Sequence, residues 1–149
     1  MARIKLMPTT FLAAAIFAAV GLHFFLPLAR AAPCPWNLAG ALPLALGVWL
    51  NLAADRAFKR AHTTVRPFEE SAALVQDGVF RFSRNPMYLG FEAVLIGVAL
   101  LLGSASPWVL VAVFPFVIER VYIRTEERML EARFGDEWRR YEARVRKWL

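Results

Sequence analysis

The sequence predicts an all-α integral membrane protein with four transmembrane helices, of which the last two form a tight hairpin, and a cytoplasmic C-terminal amphipathic helix. Three observations predict this fold class. Hydrophobic residues make up 58% of the 149-residue chain, whereas soluble domains contain roughly 45–50%. They concentrate in four apolar runs, and nearly all Lys and Arg residues lie between those runs. At this length we expect a single membrane domain over residues 1–149.

The four apolar runs define the expected spans. Each of the first two is long enough to cross a bilayer core, which takes about 20 residues of helix. The third and fourth are shorter, but only the sequence GSAS separates them, which favours one helical hairpin. A secretory signal is the competing interpretation of the first run, and the three apolar runs that follow argue against it. The expected spans are residues 9–29, 36–54, 86–102 and 107–123.

Helix-boundary residues support the third and fourth spans. Asn85 and Pro86 form the N-cap and first-position pair that begins a helix, and Ser106 with Pro107 repeats the pattern before the fourth span. Pro115 lies inside the fourth helix, where a proline is expected to kink it.

The cytoplasmic tail, residues 124–149, is expected to begin as a continuation of the fourth helix. Gly135 and Asp136 then indicate the end of that helix and the N-cap of a new one. This new helix either lies on an anionic membrane surface or packs against the cytoplasmic loop, residues 55–85, and both alternatives stay open. Its aromatic and apolar residues recur at helical spacing among basic ones: Trp138, Tyr141, Val145 and Trp148.

The distribution of basic residues predicts the orientation. With four spans, seventeen Lys and Arg residues fall on one side of the membrane and one, Arg30, falls on the other. Because positively charged flanks stay in the cytoplasm, we expect both termini and the loop to be cytoplasmic, with the chain in the inner (cytoplasmic) membrane. Basic residues placed between apolar spans in this way do not indicate nucleic-acid binding.

Composition excludes several kinds of chemistry. No two glycines form a GxG pair, so the chain carries neither a dinucleotide-binding nor a P-loop fingerprint. Cys34 is the single cysteine, which excludes an intramolecular disulfide and a cysteine-based zinc site. Since His23 and His62 are the only histidines, we expect no metal site.

Two polar blocks, residues 63–90 and 120–131, are the expected location of any chemistry, because both are predicted to meet the same face of the membrane. A solvated charged stripe is the alternative for the second block, but its position beside Arg84 at the bilayer favours a functional role. Helical spacing predicts two faces in this block, one with Arg120, Arg124 and Glu127 and the other with Tyr122, Glu126 and Met129.

The stretch ALVQDGVFRFSRNPMYLG, followed by EERMLEARFGDEWRRYEARV, resembles the isoprenylcysteine carboxyl methyltransferase family and its phospholipid methyltransferase relatives. The family pattern is LVxxGxY, then RHPxYxG, then EExxL, FG and a YxxY-like tail. Each motif alone is weak, and it is their order, spacing and position at membrane boundaries that carry the resemblance. It covers residues 63–145 and is typical of a short bacterial member.

The resemblance implies an integral-membrane enzyme that uses S-adenosylmethionine without a Rossmann domain. The cofactor would lie between the segment before the RHP-like motif, the start of the third membrane helix and the EE helix. Phe80 would stand where the family tyrosine packs on the cofactor, and Glu126 or Glu127 would accept hydrogen bonds. Further cofactor contacts would come from Ala73, Leu74, Val75, Asn85, Pro86, Met87 and Tyr88.

The chain departs from the family pattern at two positions. Asn85 replaces the family's histidine, and Phe80 lacks the tyrosine hydroxyl. An amide still donates and accepts hydrogen bonds, and a phenyl ring still stacks, but a role that requires an imidazole or a phenol does not carry over.

Methyl transfer from a sulfonium depends on positioning and exclusion of water more than on a nucleophilic side chain. Arg84 has the planar fork that suits a carboxylate or phosphate, so we expect it, with Arg120 or Arg124, to orient an anionic group of the substrate. A lipid-phosphate anchor is the alternative role. Arg84, Arg120 and Glu127 are therefore the expected catalytic residues. The acceptor is expected to be lipophilic or delivered by the bilayer, as a carboxylate, thiol, amine or phospholipid headgroup.

Two other functions fit parts of the sequence. A small four-helix transporter would use Glu92, an ionisable residue within the third span, as its coupling carboxylate. An NADPH-dependent reductase of related fold would differ only in its cofactor. Asn37 and Asn51 are expected to form hydrogen bonds between helices rather than to bind substrate. His23 could line the same cavity, and the alternative that we favour is a buried histidine with a satisfied hydrogen bond.

Overall fold

The computed structural model describes residues 7–63 and 71–149, and these are helical without a β-strand. Three of the basic residues that were counted to predict the orientation, Arg3, Lys5 and Arg66, lie outside the described residues. The α-helices are α1 (Pro8–Phe25), α2 (Ala41–Arg60), α3 (Pro86–Leu102), α4 (Trp108–Ile118), α5 (Arg124–Phe134) and α6 (Asp136–Arg144). Short 3₁₀ helices cover Trp36–Gly40 and Gly78–Arg81, and a π turn covers Glu119–Ile123.

The all-α fold class is confirmed, and the helices follow the predicted apolar runs closely. Within the described residues, Pro8–Phe25 and Trp36–Arg60 are long and apolar enough to cross a membrane, and Pro86–Leu102 is a shorter apolar helix. The first two helices are mostly exposed, with large apolar side chains such as Phe17 and Leu42 on the surface. This distinguishes them from the core helices of a soluble protein, whose apolar faces are buried. The helix α2 also continues beyond its predicted span, as far as Arg60.

Glycines bring α2 and α3 into close contact. A Cβ on Gly97 would lie 2.7 Å from the carbonyl oxygen of Gly40, and one on Gly90 would lie 2.8 Å from that of Gly47. Real Cβ atoms do not approach backbone oxygens this closely, so the two helices can pack at this distance only because all four positions lack a side chain. The contact extends over two turns of α3 and thereby sets the position of its N-terminus.

The hairpin between α3 and α4 is fastened to the end of α1. Gly103, with a φ of 76°, ends α3 in the left-handed conformation that glycine adopts without strain. His23 and Ser104 share a hydrogen bond of 2.9 Å, and the Ser106 hydroxyl donates to the carbonyl oxygen of Leu22 at 3.2 Å. The expected cap by Ser106 is therefore wrong: its side chain stabilises the contact with α1, and α4 begins at Trp108 without a side-chain cap.

The helices α4 and α5 form one continuous element, as the sequence predicts. The π turn, Glu119–Ile123, joins them, and it begins four residues after Pro115, which lies inside α4. Hydrogen bonds in a π turn run from i to i+5, so each residue advances the helix by a smaller angle than in an α-helix. Two side chains that a uniform 3.6-residue period would place on the same face of the helix therefore point in different directions when the π turn lies between them.

The C-terminal helix packs against the rest of the protein through its aromatic face. Gly135, with a φ of 49°, separates α5 from α6, as predicted, although Asp136 is the first residue of α6 and makes no side-chain cap. Trp138, Tyr141 and Val145 are buried. They contact Leu74, in the loop before the 3₁₀ turn Gly78–Arg81, and apolar residues of α5. Of the two alternatives for this helix, the structure shows the one in which it packs on the loop: its apolar face is unavailable to a membrane.

We predict that Gly47→Ala destabilises the protein, because the added methyl group would overlap the carbonyl oxygen of Gly90 and the side chain of Val94. Overpacking of this kind costs about 1–3 kcal/mol, so the melting temperature of the purified protein should fall.

The matched control is Gly21→Ala on α1, where the added methyl group meets nothing within 4 Å. Alanine is a better helix former than glycine, so this variant should melt at the wild-type temperature or above it. Equal melting temperatures for the two variants would contradict the described packing of α2 on α3.

Candidate active site

A large cavity lies where the N-terminus of α3 meets α5 and α6. Its volume is about 670 Å³, within the range of roughly 300–1,000 Å³ that is typical of small-molecule sites. Most of its lining is apolar, and its polar groups include Arg84, Asn85 and Tyr88 at the start of α3 and the neighbouring Glu126 and Glu127 of α5. The start of α1 and the loop before the 3₁₀ turn Gly78–Arg81 complete the wall.

The segment that leads into α3, residues 83–88, is here called the corner. It is held by the C-terminal tail. The Ser83 hydroxyl and the Asn85 side-chain amide both donate to the carbonyl oxygen of Lys147, at 3.3 and 3.1 Å. The backbone N–H of Arg84 donates to the carbonyl oxygen of Arg146 at 3.0 Å. Asn85 thus stands at the N-cap position of α3 but does not cap the helix with its side chain; it anchors the tail instead.

Arg84 connects the corner to both C-terminal helices. Its side chain is only 8% exposed, with one terminal nitrogen 2.5 Å from Glu142 on α6 and the other 3.4 Å from Glu127 on α5. The guanidinium also lies over the Trp138 ring, 5.5 Å from its centroid, within the range of a cation–π contact. Among the described residues its Nε atom has no hydrogen-bond partner.

The two neighbouring glutamates of α5 have different surroundings. The Tyr88 hydroxyl donates to Glu126 at 2.8 Å, and Glu127 lies between Arg84 and the ammonium group of Lys147. Burial raises the pKa of Glu126 to about 7; the hydrogen bond from Tyr88 lowers it, and the charge of Glu127 raises it. Glu126 therefore changes its charge near neutral pH, while Glu127 is compensated by two cations.

The wall opposite the glutamates is formed by the 3₁₀ turn Gly78–Arg81. The Phe80 ring is buried against Phe58 of α2, with the two rings edge to face at 5.1 Å between centroids. The Tyr141 hydroxyl of α6 donates to the Phe80 carbonyl oxygen at 2.8 Å. The turn is thereby tied to two helices, and its aromatic ring lines the cavity in a defined orientation.

The structure brings almost all of the sequence-predicted site residues to this cavity. The lining includes Ala73, Leu74, Val75, Phe80, Arg84, Asn85, Pro86, Met87, Tyr88, Glu126 and Glu127. Arg120 is the exception, because it is exposed and does not line the cavity. The grouping of Arg120, Arg124 and Glu127 on one face assumed a uniform α-helix, and the π turn breaks that register. Arg124 lies outside as well, with its Nε 3.7 Å from Glu119.

The other polar residues of the expected spans lie away from the cavity. His23 is bound to the hairpin at Ser104, and Asn37 donates to the carbonyl oxygen of Leu101 at 3.1 Å, as expected for contacts within the bundle. The expected hydrogen bond between helices is wrong for Asn51, which donates to the carbonyl oxygen of Gly47 one turn earlier in its own helix, at 2.9 Å. Glu92 does not line the cavity, and one of its oxygen atoms is buried without a hydrogen-bond partner among the described residues.

Sequence reasoning missed the contribution of the C-terminal region to the site. Trp138 and Tyr141 line the cavity, and Lys147 binds both the corner and Glu127. The helical spacing of the aromatic residues did predict a buried or membrane-bound face, but it carries no information about what that face contacts. Leu130 and the start of α1 were missed as well, whereas helical spacing predicted Met129 on the same helix face as Glu126.

Comparison with known proteins identifies the family. The sequence model of the phospholipid methyltransferase family matches residues 36–137, about two thirds of the chain, and this range includes the corner, the 3₁₀ turn and both glutamates. The chain belongs to the phospholipid methyltransferase family.

Two relatives support this assignment at different distances. The protein is similar to protein-S-isoprenylcysteine O-methyltransferase of Schizosaccharomyces pombe, with 30% identity over a 109-residue alignment that covers 68% of this chain and 44% of that protein. The chain thus spans less than half the length of this relative. It is also similar to an uncharacterized protein of Haemophilus influenzae, with 44% identity over 63 residues, 42% of this chain and all of that protein.

We predict that Tyr141→Phe destabilises the protein by removing the hydrogen bond between α6 and the 3₁₀ turn Gly78–Arg81. The substitution keeps the ring but removes the donor to Phe80, and it leaves a buried carbonyl oxygen without that partner. Such a loss costs about 1–3 kcal/mol, which should appear as a lower melting temperature. A wild-type melting temperature would show that this hydrogen bond does not hold the turn.

Proposed function

We propose that the protein is an S-adenosylmethionine-dependent methyltransferase that acts on a lipophilic or membrane-delivered acceptor. The observation that carries the proposal is the cavity in which the SRNPMY corner and the paired glutamates meet. These two motifs are 38 residues apart at Tyr88 and Glu126, yet a hydrogen bond joins them. Membership of the phospholipid methyltransferase family supports the reaction class.

The cavity residues fit this cofactor chemically. S-adenosylmethionine supplies a methyl group activated by its positively charged sulfonium. Glu126 offers an acidic oxygen for the cationic and hydroxyl groups of the cofactor, and the Phe80 and Tyr88 rings offer aromatic surface for an adenine. The carbonyl and N–H groups of Ala73, Leu74 and Val75 add backbone hydrogen-bonding capacity on the loop side. Arg84 Nε, buried without a hydrogen-bond partner among the described residues, is a polar atom that a ligand would satisfy.

The chain contributes positioning and dehydration rather than a nucleophile. Its apolar walls exclude water from the reacting groups, and the fixed carboxylates and guanidinium set the electrostatic environment in advance. Well-oriented intramolecular reactions gain roughly 7–11 kcal/mol from such positioning. In this proposal Arg84 keeps Glu127 in place with its terminal nitrogens and offers its Nε–H to an anionic oxygen of the acceptor. A bidentate contact with the acceptor would require Arg84 to break its ion pairs with Glu127 and Glu142.

The proposed arrangement in the membrane has four spans, with both termini on the cytoplasmic side of the inner membrane and residues 1–149 forming one domain. The exposed large apolar side chains of α1 and α2 support it, because surfaces of this kind are suited to lipid contact. In this orientation the cavity faces the cytoplasmic leaflet. An acceptor carried by the bilayer, whether carboxylate, thiol, amine or phospholipid headgroup, could then enter laterally.

The most direct test is binding of S-adenosylmethionine to the purified protein by isothermal titration calorimetry. We expect saturable binding that strengthens as the pH rises through about 7, because Glu126 becomes ionised there. The ionised fraction of a carboxyl group rises about tenfold between one unit below its pKa and one unit above it, and affinity should follow it up to that limit. Glu126→Gln should bind more weakly and lose this pH dependence.

Two outcomes would contradict the proposal. A transporter that uses Glu92, or a reductase, has no reason to bind S-adenosylmethionine, so absence of binding would exclude methyl transfer. Competition by NADPH at similar concentration would favour the reductase instead.

We predict that Arg84→Lys lowers kcat/KM for methyl transfer at least tenfold. A lysine carries the charge but not the planar fork, so it cannot bind Glu127 and Glu142 together and stack on Trp138. The control is Arg128→Lys, since Arg128 is exposed on α5 and its Nε donates to a carbonyl oxygen of its own helix. Wild-type turnover by the Arg84 variant would exclude a role for the fork.

A further inference from the structure

The C-terminal tail beyond α6 lies outside the range that matches the family model, which ends at residue 137. It is nevertheless part of the site. The carbonyl oxygen of Lys147 accepts hydrogen bonds from Ser83 and Asn85, the two residues that flank Arg84. The tail therefore follows the corner residue by residue, with the backbone of Arg84 bound to Arg146.

The side chain of Lys147 extends from the corner to the other half of the site. Its ammonium nitrogen lies 3.3 Å from Glu127 on α5 and 3.2 Å from Glu119 in the π turn. Backbone and side chain of one residue thus connect the start of α3 with α5. Burial alone would lower the pKa of Lys147, but its hydrogen bonds and charge contacts with Glu119 and Glu127 outweigh that effect and raise it. The ammonium therefore stays charged at neutral pH.

The charges around the paired glutamates show what this cation does. Tyr88 faces Glu126 from α3, Arg84 faces Glu127 from the corner, and Tyr122 and Glu119 approach from the π turn. Arg84 divides its charge between Glu127 and Glu142. Lys147 divides its own between Glu127 and Glu119, so Glu127 depends on both cations for compensation. A bare charge on Glu127 would repel the ionised form of its neighbour Glu126.

We propose that Lys147 is a positioning residue of the active site, which holds Glu127 against the Arg84 corner and thereby leaves Glu126 as the carboxylate that ionises to bind the cofactor. This inference rests on the proposed function. It assigns Lys147 no contact with substrate or cofactor: it acts through Glu127 and through the tail that carries it.

The test compares Lys147→Met with Lys147→Arg by calorimetric binding of S-adenosylmethionine between about pH 6 and pH 9. Lys147→Met should weaken binding about tenfold, the scale of one lost charge-assisted hydrogen bond. It should also move the midpoint of the pH dependence to higher pH, because the uncompensated Glu127 opposes ionisation of Glu126. Lys147→Arg should restore both properties. The matched control is Lys59→Met, which removes an exposed lysine paired with Asp55 at the end of α2 and should change neither.

An unchanged affinity and midpoint in Lys147→Met would overturn the proposal, and so would a weaker affinity with an unmoved midpoint, since that marks a merely structural role. Glu119→Gln gives a second measurement if the first variant does not fold. It frees Lys147 to compensate Glu127 alone, so the midpoint should move to lower pH, and an unmoved midpoint would count equally against the proposal. If the wild type itself does not bind S-adenosylmethionine, the proposed function fails instead.

Discussion

The ion pairs of Arg84 hold together three parts of the chain that are far apart in sequence. One guanidinium at the start of α3 binds a carboxylate of α5 and a carboxylate of α6, and it covers the ring of Trp138. Because the arginine side chain is almost fully shielded from water, the loss of both carboxylates would leave its charge uncompensated in a poorly solvated place. The position of α5, and with it the orientation of Glu126, depends on this contact.

The packing of the apolar helices positions the residues that make this contact. The glycines of α2 and α3 let the two helices approach closely, which sets where α3 begins. On the other side, the π turn redirects the helix that leaves the bundle, so that both Glu126 and Glu127 reach the cavity. The site is thus a junction between an apolar bundle and a polar C-terminal region, and neither part encloses the cavity alone.

The sequence predicts the helices and most of the cavity lining, because apolar runs, proline and glycine act locally. The motif residues from Ala73 to Tyr88 and the glutamates meet as expected, since their family pattern describes one site. Arg120 was misplaced because a π turn leaves no mark in a hydrophobic period. The partners of Lys147 and Tyr141 were beyond prediction as well, because a helix pattern identifies a buried face without identifying the surface that buries it.

The measurement that tests the central claim most directly is ultraviolet cross-linking of methyl-labelled S-adenosylmethionine to the purified protein, followed by mass spectrometric mapping of the labelled peptides. If the corner and the paired glutamates enclose the cofactor, the label should fall within residues 73–88 and 126–141. Label on the exposed faces of α1 and α2, or none at saturating concentration, would contradict the account.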